Sequence, residues 1–413
     1  MKKILVISAV ILMSCATASA QWYLFPGKGK KNKNKEKTET VAPEEASVLQ
    51  DTVAVIIPDA PQPSEEAAAE DVFTLDIPET IQLTLILPFQ ISSKTNSNFM
   101  EMYFGALMAA REHCANGRRV EFTVMDESEA GTPVTSDILA NSHIVIGPVN
   151  MDDLKAKLEI CPENKFLVSP LEPKAVALAD SCRIVQAPVP WERQVEELIS
   201  WISDDMEWND ELTVLIDEGE NGIGEQSALL LGKLEASGKR YKTVTDLSTF
   251  TPGEFTTRCL IASDRDSFIN AAARDLSVLA AGAKNRSIVL YGTSKVRNSL
   301  GMEPEHLYNL NLHYTTGYFI DYENPAVKDF ILTYRSLFKT EPGSFAFQGY
   351  DITHYLLNIC SLYGVQWYKK LPEYSERGLQ ADYKFTESET TGKTNCAVRK
   401  VMLNKDLSAV VLQ

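Results

Sequence analysis

The stretch Ile81-Gln82-Leu83-Thr84-Leu85-Ile86-Leu87-Pro88 is apolar at nearly every position and stops at a proline. A run of this length, too short for a buried helix and bounded by a breaker, reads as a strand buried on both faces. After a loop, Phe99–Cys114 has a helical pattern. Then come Val120-Glu121-Phe122-Thr123-Val124-Met125, the apolar run His143-Ile144-Val145-Ile146 closed by Gly147-Pro148, a helix over 151–160 and Phe166-Leu167-Val168-Ser169. Short apolar strands alternating with amphipathic helices are the mark of parallel βαβ units. The rhythm then repeats: helix Trp191–Met206, strand Leu212–Ile216, helix Gly222–Ser237, strand Tyr241–Asp246, helix Arg265–Ala281 and strand Ser287–Tyr291. Two such series exceed one ordinary sheet, so the fold class is α/β with two lobes, each a mostly parallel, doubly wound sheet, and a cleft between them.

The rest of the chain sets bounds on that reading. It has 413 residues, 44% of them apolar, with 40 Lys+Arg against 56 Asp+Glu and a formal charge of -16. So acidic a surface excludes a general nucleic-acid binder. No internal stretch approaches the ~20 apolar residues that a transmembrane helix requires. At the N-terminus, Lys2 and Lys3 precede the apolar Ile4–Met13 and the small-residue site Ala18-Ser19-Ala20. Residues 1–20 therefore read as a secretory signal peptide, and the protein is expected in the periplasm or cell envelope. Leu12-Met13-Ser14-Cys15 also allows a lipobox, in which Cys15 would be acylated and anchor the chain.

Residues 21–80 read as a disordered tether. Lys28, Lys30, Lys31, Lys33, Lys35 and Lys37 crowd its start, and Val41–Thr80 then carries ten Asp or Glu, no Lys or Arg, and five scattered prolines. Charge blocks of this kind bury too little apolar surface to offset ordering entropy. The Lys28–Lys37 run suits peptidoglycan or another anionic envelope surface, or stands solvated without a partner. Apart from Cys15, six of the seven cysteines remain. Cys161 and Cys182, which bracket a strand and a short helix, are the pair expected to form a disulfide, buried free thiols being the other reading.

Several segments resemble the type I periplasmic binding protein fold. They are the strand ending Leu87-Pro88-Phe89, the helix with Tyr103-Phe104-Gly105-Ala106-Leu107-Met108-Ala109-Ala110, Ile144-Val145-Ile146-Gly147-Pro148, the late helix Phe345–Asn358, and Leu379–Phe385 followed by Gly392, Asn395 and a last strand. The likeness covers residues 81–413 and is nearest to a Bacteroidetes envelope branch of amino-acid ABC transporter substrate-binding-like and LysM-associated proteins. It implies three crossings between lobes, with lobe I at 81–188 plus 318–366 and lobe II at 189–317 plus 367–413. It also implies a ligand held between lobes that close by hinge motion.

In amino-acid-binding relatives, amides and a hydroxyl after the fourth strand hold the ligand carboxylate. The matching loop is Ser169-Pro170-Leu171-Glu172-Pro173, where Pro173 takes the hydroxyl position and Glu172 adds a negative charge. The family's tyrosine position after the first strand of lobe II falls on Asn221, and its acidic ammonium partner falls within Gly292-Thr293-Ser294. All three departures argue against a free amino acid. The cleft candidates are Phe89, Gln90, Asn150, Ser169, Leu171, Glu172, Trp191, Glu218, Asn221, Thr293 and Ser294. Glu172, Glu218 and Glu220 at strand ends suit a cationic or hydroxyl-rich ligand, and solvated loop carboxylates are the plainer alternative.

No metal or catalytic constellation stands out. The five histidines show no HExxH or short ligand pair, and no nucleophile elbow is complete. The expectation is a non-enzyme without cofactor: a secreted receptor that captures a small solute. The alternative is a cell-envelope interaction protein, such as a peptidoglycan-associated scaffold or wall-synthesis regulator.

Overall fold

The apolar run of residues 81–88 forms the middle of a sheet. A computed structural model describes residues 75–128, 133–220, 222–253, 256–282, 287–385 and 391–412. The leader, Cys15, the Lys28–Lys37 run, the tether up to residue 74 and Asn221 lie outside them.

The first series gives β1 (Thr80–Leu87), β2 (Arg119–Asp126), β3 (Ile144–Ile146), β4 (Leu167–Ser169) and β5 (Ile184–Gln186). The second gives β6 (Leu212–Ile216), β7 (Tyr241–Val244), β8 (Thr256–Ala262), β9 (Ser287–Thr293) and β10 (His313–Thr316). Within each series the pairing is parallel, in the orders β5-β4-β3-β1-β2 and β10-β9-β8-β6-β7. The two orders are the same, and each reverses direction beside its first strand. A crevice opens beyond the carboxyl ends at such a reversal. Position explains the strand sequences: β1 has a neighbour on each side and is buried along nearly its whole length, whereas β2 at the edge alternates.

The C-terminal third completes both sheets. It contributes β11 (Glu376–Arg377), β12 (Asp382–Tyr383), β13 (Lys393–Thr394), β14 (Arg399–Leu403) and β15 (Ala409–Leu412). Strand β13 joins β5 in the first sheet, while β14 and β15 extend the second antiparallel from β10. Trp367, Leu371, Ala381, Tyr383 and Phe385 are buried in the same core as β1. Residues 367–385 and 391–396, expected with lobe II, therefore lie with lobe I, and the chain returns to lobe II only at residues 397–399. The physical reason is that those aromatics and leucines have their apolar partners on the first sheet and on helix Ser344–Tyr363.

That helix packs on Ser97–Ala115 almost backbone to backbone. A Cβ on Gly105 would come within 1.9 Å of the Ala346 carbonyl oxygen, and one on Gly349 within 2.0 Å of that of Met102. In lobe II the helix expected over 222–237 is Glu225–Ala236, because Asp264 caps its first turn by accepting from the Gln226 amide (3.1 Å) and the Ser227 amide (2.9 Å).

Every pair of helices or strands in extensive contact lies within one lobe, so the lobes are joined chiefly by the crossovers 187–190, 317–324 and 395–398. The Cys161–Cys182 disulfide is not formed: both thiols are free, the Cys161 Sγ facing the Lys165 carbonyl (3.8 Å) and the Cys182 Sγ the Ser181 hydroxyl (3.7 Å).

Candidate functional site

The loops at the carboxyl ends of the two sheets are built around the protein's own carboxylates. In lobe I, Asp126 at the end of β2 accepts from the Phe89 amide (2.9 Å), the Ile91 amide (3.1 Å) and the Ser128 amide (3.1 Å) and hydroxyl (2.6 Å). Burial alone would raise this carboxyl, but the Ser128 hydroxyl and the loop amides hold it below its ordinary value. Phe89 itself is a core residue, packed edge-on against Tyr103 with ring centroids 6.3 Å apart. Gln90 is exposed in a left-handed backbone conformation (φ 59°), and its amide is bound by the Ser128 hydroxyl (2.9 Å).

Asn150 caps the helix Met151–Ile160, its Oδ1 accepting from the Asp153 amide at 3.0 Å. Ser169 ends β4 fully buried, its hydroxyl without a partner among the described residues. Leu171 is half-buried against the lobe I core. Glu172 turns back on its own chain: its Oε1 accepts from the Lys174 amide (2.9 Å) and caps the turn Pro173–Ala175. Trp191 opens the helix Trp191–Asp205 half-buried on the lobe II core, with a buried indole N–H that finds no partner among the described residues.

In lobe II, Glu218 and Glu220 are exposed, and Thr293 is buried and caps the short helix Ser294–Arg297 through the Lys295 amide (3.3 Å). Ser294 is the half-buried first residue of that helix. Glu303, at the N-terminus of the short helix Pro304–Asn309, lies 3.3 Å from the half-buried His306 within it.

The structure thus brings the candidates among the described residues to the carboxyl ends of their strands or to the first crossover. Most of their side chains work inside the loops, however, as caps and core.

Reading the sequence missed the strongest electrostatic feature of these ends. Asp217, 2% exposed, pairs with Arg265 through Nε–Oδ2 (2.9 Å) and Nη2–Oδ1 (2.5 Å), and also accepts from the Ser263 hydroxyl (3.0 Å) and the Gly219 amide (2.9 Å). Desolvation opposes the charge, but the Gly219 amide, Arg265 and Ser263 keep the Asp217 carboxyl below its ordinary value. The loop passes so close that a Cβ on Gly222 would sit 2.4 Å from the Asp217 Cγ, and one on Gly219 would sit 2.4 Å from Arg265 Nη2. The only signal in the sequence was the glycine-rich Asp217–Gly224 together with Ser263-Asp264-Arg265. Joining them requires the Ile216–Ala262 register.

The histidines serve the framework. His113 bonds Ser361 (2.8 Å), and burial first, with Arg118 and His354 adding, lowers it to about 4. His143 Nδ1 accepts from the Gln82 amide (3.0 Å), and His354 pairs with Glu376 (2.5 Å). No group of three or more His, Cys, Asp or Glu able to hold a metal occurs among the described residues.

Comparison with known proteins bears on the fold. No protein-family model matches the chain, and no curated protein matches it. Among solved structures, a putative branched-chain amino acid ABC transporter protein of Rhodospirillum rubrum superposes with a TM-score of 0.55 at 14% identity, covering 81% of this chain and 100% of that one. The fold is that of the type I periplasmic binding proteins. Lower similarity links the chain to the leucine-binding protein LivK of Thermotoga maritima (TM-score 0.42, 16% identity, 81% and 98% covered). It also links it to the C-domain of Haemophilus influenzae LpoA, a regulator of PBP1A (0.49, 11%, 80% and 100%).

Proposed function

We propose that this is a secreted, non-enzymatic receptor of the cell envelope that takes a small solute between its lobes, and that the group it presents to the strand ends is neutral or cationic rather than a carboxylate. One observation carries the choice of charge. At these strand ends the amides of Phe89, Lys174, Gly219 and Ser227, which could receive an anion, are already taken by Asp126, Glu172, Asp217 and Asp264. A ligand carboxylate entering there would displace a satisfied partner and meet like charge. A polyamine, a sugar or the amine of a peptide meets acceptors instead. Export through the 1–20 signal peptide and retention by the Lys28–Lys37 run belong to the same proposal; acylation at Cys15 is its alternative, since cleavage after Ala20 would remove that residue.

A thermal-shift screen of the mature protein tests it, using spermidine, neutral sugars, muropeptides and free amino acids. A ligand at 100 times its Kd adds about 2.7 kcal/mol of stability, enough to read directly. Stabilisation by amines or sugars supports the reading, and stabilisation confined to free amino acids or other carboxylates overturns the assignment of charge.

The same self-satisfied ends favour a second reading, since loops that complete their own hydrogen bonds require no solute. On that reading the protein is a peptidoglycan-associated scaffold or wall-synthesis regulator. Retention on purified sacculi, with silence across the solute panel, would select it.

A further inference from the structure

All three crossovers between the lobes meet two side chains that no solute contact explains. Asn395 is 1% exposed. Its Nδ2 donates to the Ala187 carbonyl of the first crossover (2.9 Å) and to the Asp382 carbonyl (2.8 Å), and its Oδ1 accepts from the Lys384 amide (3.1 Å) and the Ala397 amide (3.0 Å) of the third. Arg399 is also buried, 5% exposed. Its guanidinium donates to the Phe319 carbonyl of the second crossover, to the Gly378 carbonyl (2.7 Å) and to the Asp382 carboxylate (2.5 Å).

Asp382 is therefore shared, its carbonyl by Asn395 and its carboxylate by Arg399. The turn before it is gripped from inside lobe I by Asp351, which accepts from the amides of Leu379 (2.8 Å), Gln380 (2.7 Å) and Ala381 (2.9 Å), while the Phe319 amide donates to the Gln380 carbonyl (2.8 Å). Charge-assisted bonds in a buried setting are the strong ones, and breaking one partner leaves the other uncompensated.

We infer that Asn395, Asp382 and Arg399 form a clasp that gathers the three crossovers into one pivot, so that the lobes turn about residues 395–399 as rigid bodies and no crossover opens without the others. Three independent strands would each bend at their own softest residue. Strands tied to one buried guanidinium–carboxylate pair share a single opening event. Because it concerns the pivot alone, the inference stands whether or not the cleft takes a solute.

Amide hydrogen exchange on the mature protein tests it through sites that each residue does not touch. Arg399 has no bond to the first crossover, yet Arg399→Gln is expected to accelerate exchange at Ala187 at least tenfold, together with Phe319 and 379–384. Asn395 has no bond to the second, yet Asn395→Ser is expected to accelerate Phe319 to a similar degree. Amides of β3 and β9 should stay protected in both. Acceleration restricted to the directly bonded segments overturns the clasp.

If either variant fails to fold, Arg399→Lys and the unaltered chain under rising denaturant decide. One common opening free energy for the amides of Ala187, Phe319 and 379–384 supports the clasp, and separate ones overturn it.

Discussion

The two lobes have the same strand order and are stabilised in different ways. Lobe II is made mostly of one continuous stretch, 191–316, closed by β14 and β15. Apolar side chains on each face of its sheet form its two cores, and its one deeply buried aspartate, Asp217, sits at the rim. Lobe I is assembled from pieces far apart in sequence. Its helices Ser97–Ala115 and Ser344–Tyr363 meet at glycines, and a buried carboxylate, Asp351, holds a loop nearly thirty residues away.

The difference teaches how each lobe fixes its geometry. Neighbouring βαβ units find their register from the hydrophobic pattern alone. Late segments brought back from another lobe need directional bonds, because apolar contact specifies volume but not register.

The helix contact offers the largest break in that comparison. Gly349→Val places atoms against the Met102 carbonyl, backbone that cannot yield, and is expected to cost about 3 kcal/mol or more. Chemical denaturation should show lobe I unfolding first while lobe II persists.

Asp351→Ala comes next, since it strands three loop amides at once. A loss of about 2–3 kcal/mol is expected, partly offset by removing a buried charge. Its carboxyl is raised to about 6 by burial, against the pull of those amides and Arg399. A raised carboxyl favours the neutral folded form, so the contribution of this group is greatest below its unfolded value of 3.8 and is lost as pH rises toward 6. Melts of the wild type and the variant between pH 4 and 7 would reveal that slope.

Glu127 sharpens the picture at the rim of lobe I. Burial first and Asp153 second raise its carboxyl to about 7, with Lys157 3.7 Å away. Its stabilising contribution is present below the unfolded value of 4.5 and is lost as pH rises through about 7. Glu127→Gln is therefore expected to gain on the order of 1 kcal/mol at pH 8 and little at pH 5. Equal effects at both pH values would show that the charge is not what matters there.

The smallest effect is also a gain and belongs to lobe II. Gly232 lies within the helix Glu225–Ala236, and a Cβ there would meet nothing within 4 Å. Gly232→Ala should stabilise by about 0.5–1 kcal/mol, the reverse of a glycine change at position 349.

Much of the fold was legible in the chain. The buried runs at Ile81–Leu87, Ile144–Ile146 and Leu212–Ile216 are strands because continuous apolar character has no other stable home between helices. Residues 367–385 and 391–396 were misplaced because their strands are two residues long, too short to show a period. The candidate site was legible only as a set of strand-end loops. Glu172 was legible as a strand-end carboxylate, facing a ligand or solvated, but its capping of its own turn was not. Asp217, which the sequence did not single out, is buried against Arg265. The state of a carboxylate depends on which donors fold around it, and those donors lie 46 and 48 residues further along the chain for Asp217.

The sequence by itself determined the two α/β series, their parallel strands and the acidic character of the strand-end loops, because hydrophobic periodicity and composition are local. Only the tertiary structure decided which lobe takes residues 367–385 and 391–396, that the loop amides are spent on the protein's own carboxylates, and that Asn395 and Arg399 bind the three crossovers together. Each of these depends on hydrogen-bond partners brought together from distant parts of the chain, and no local pattern records such partners.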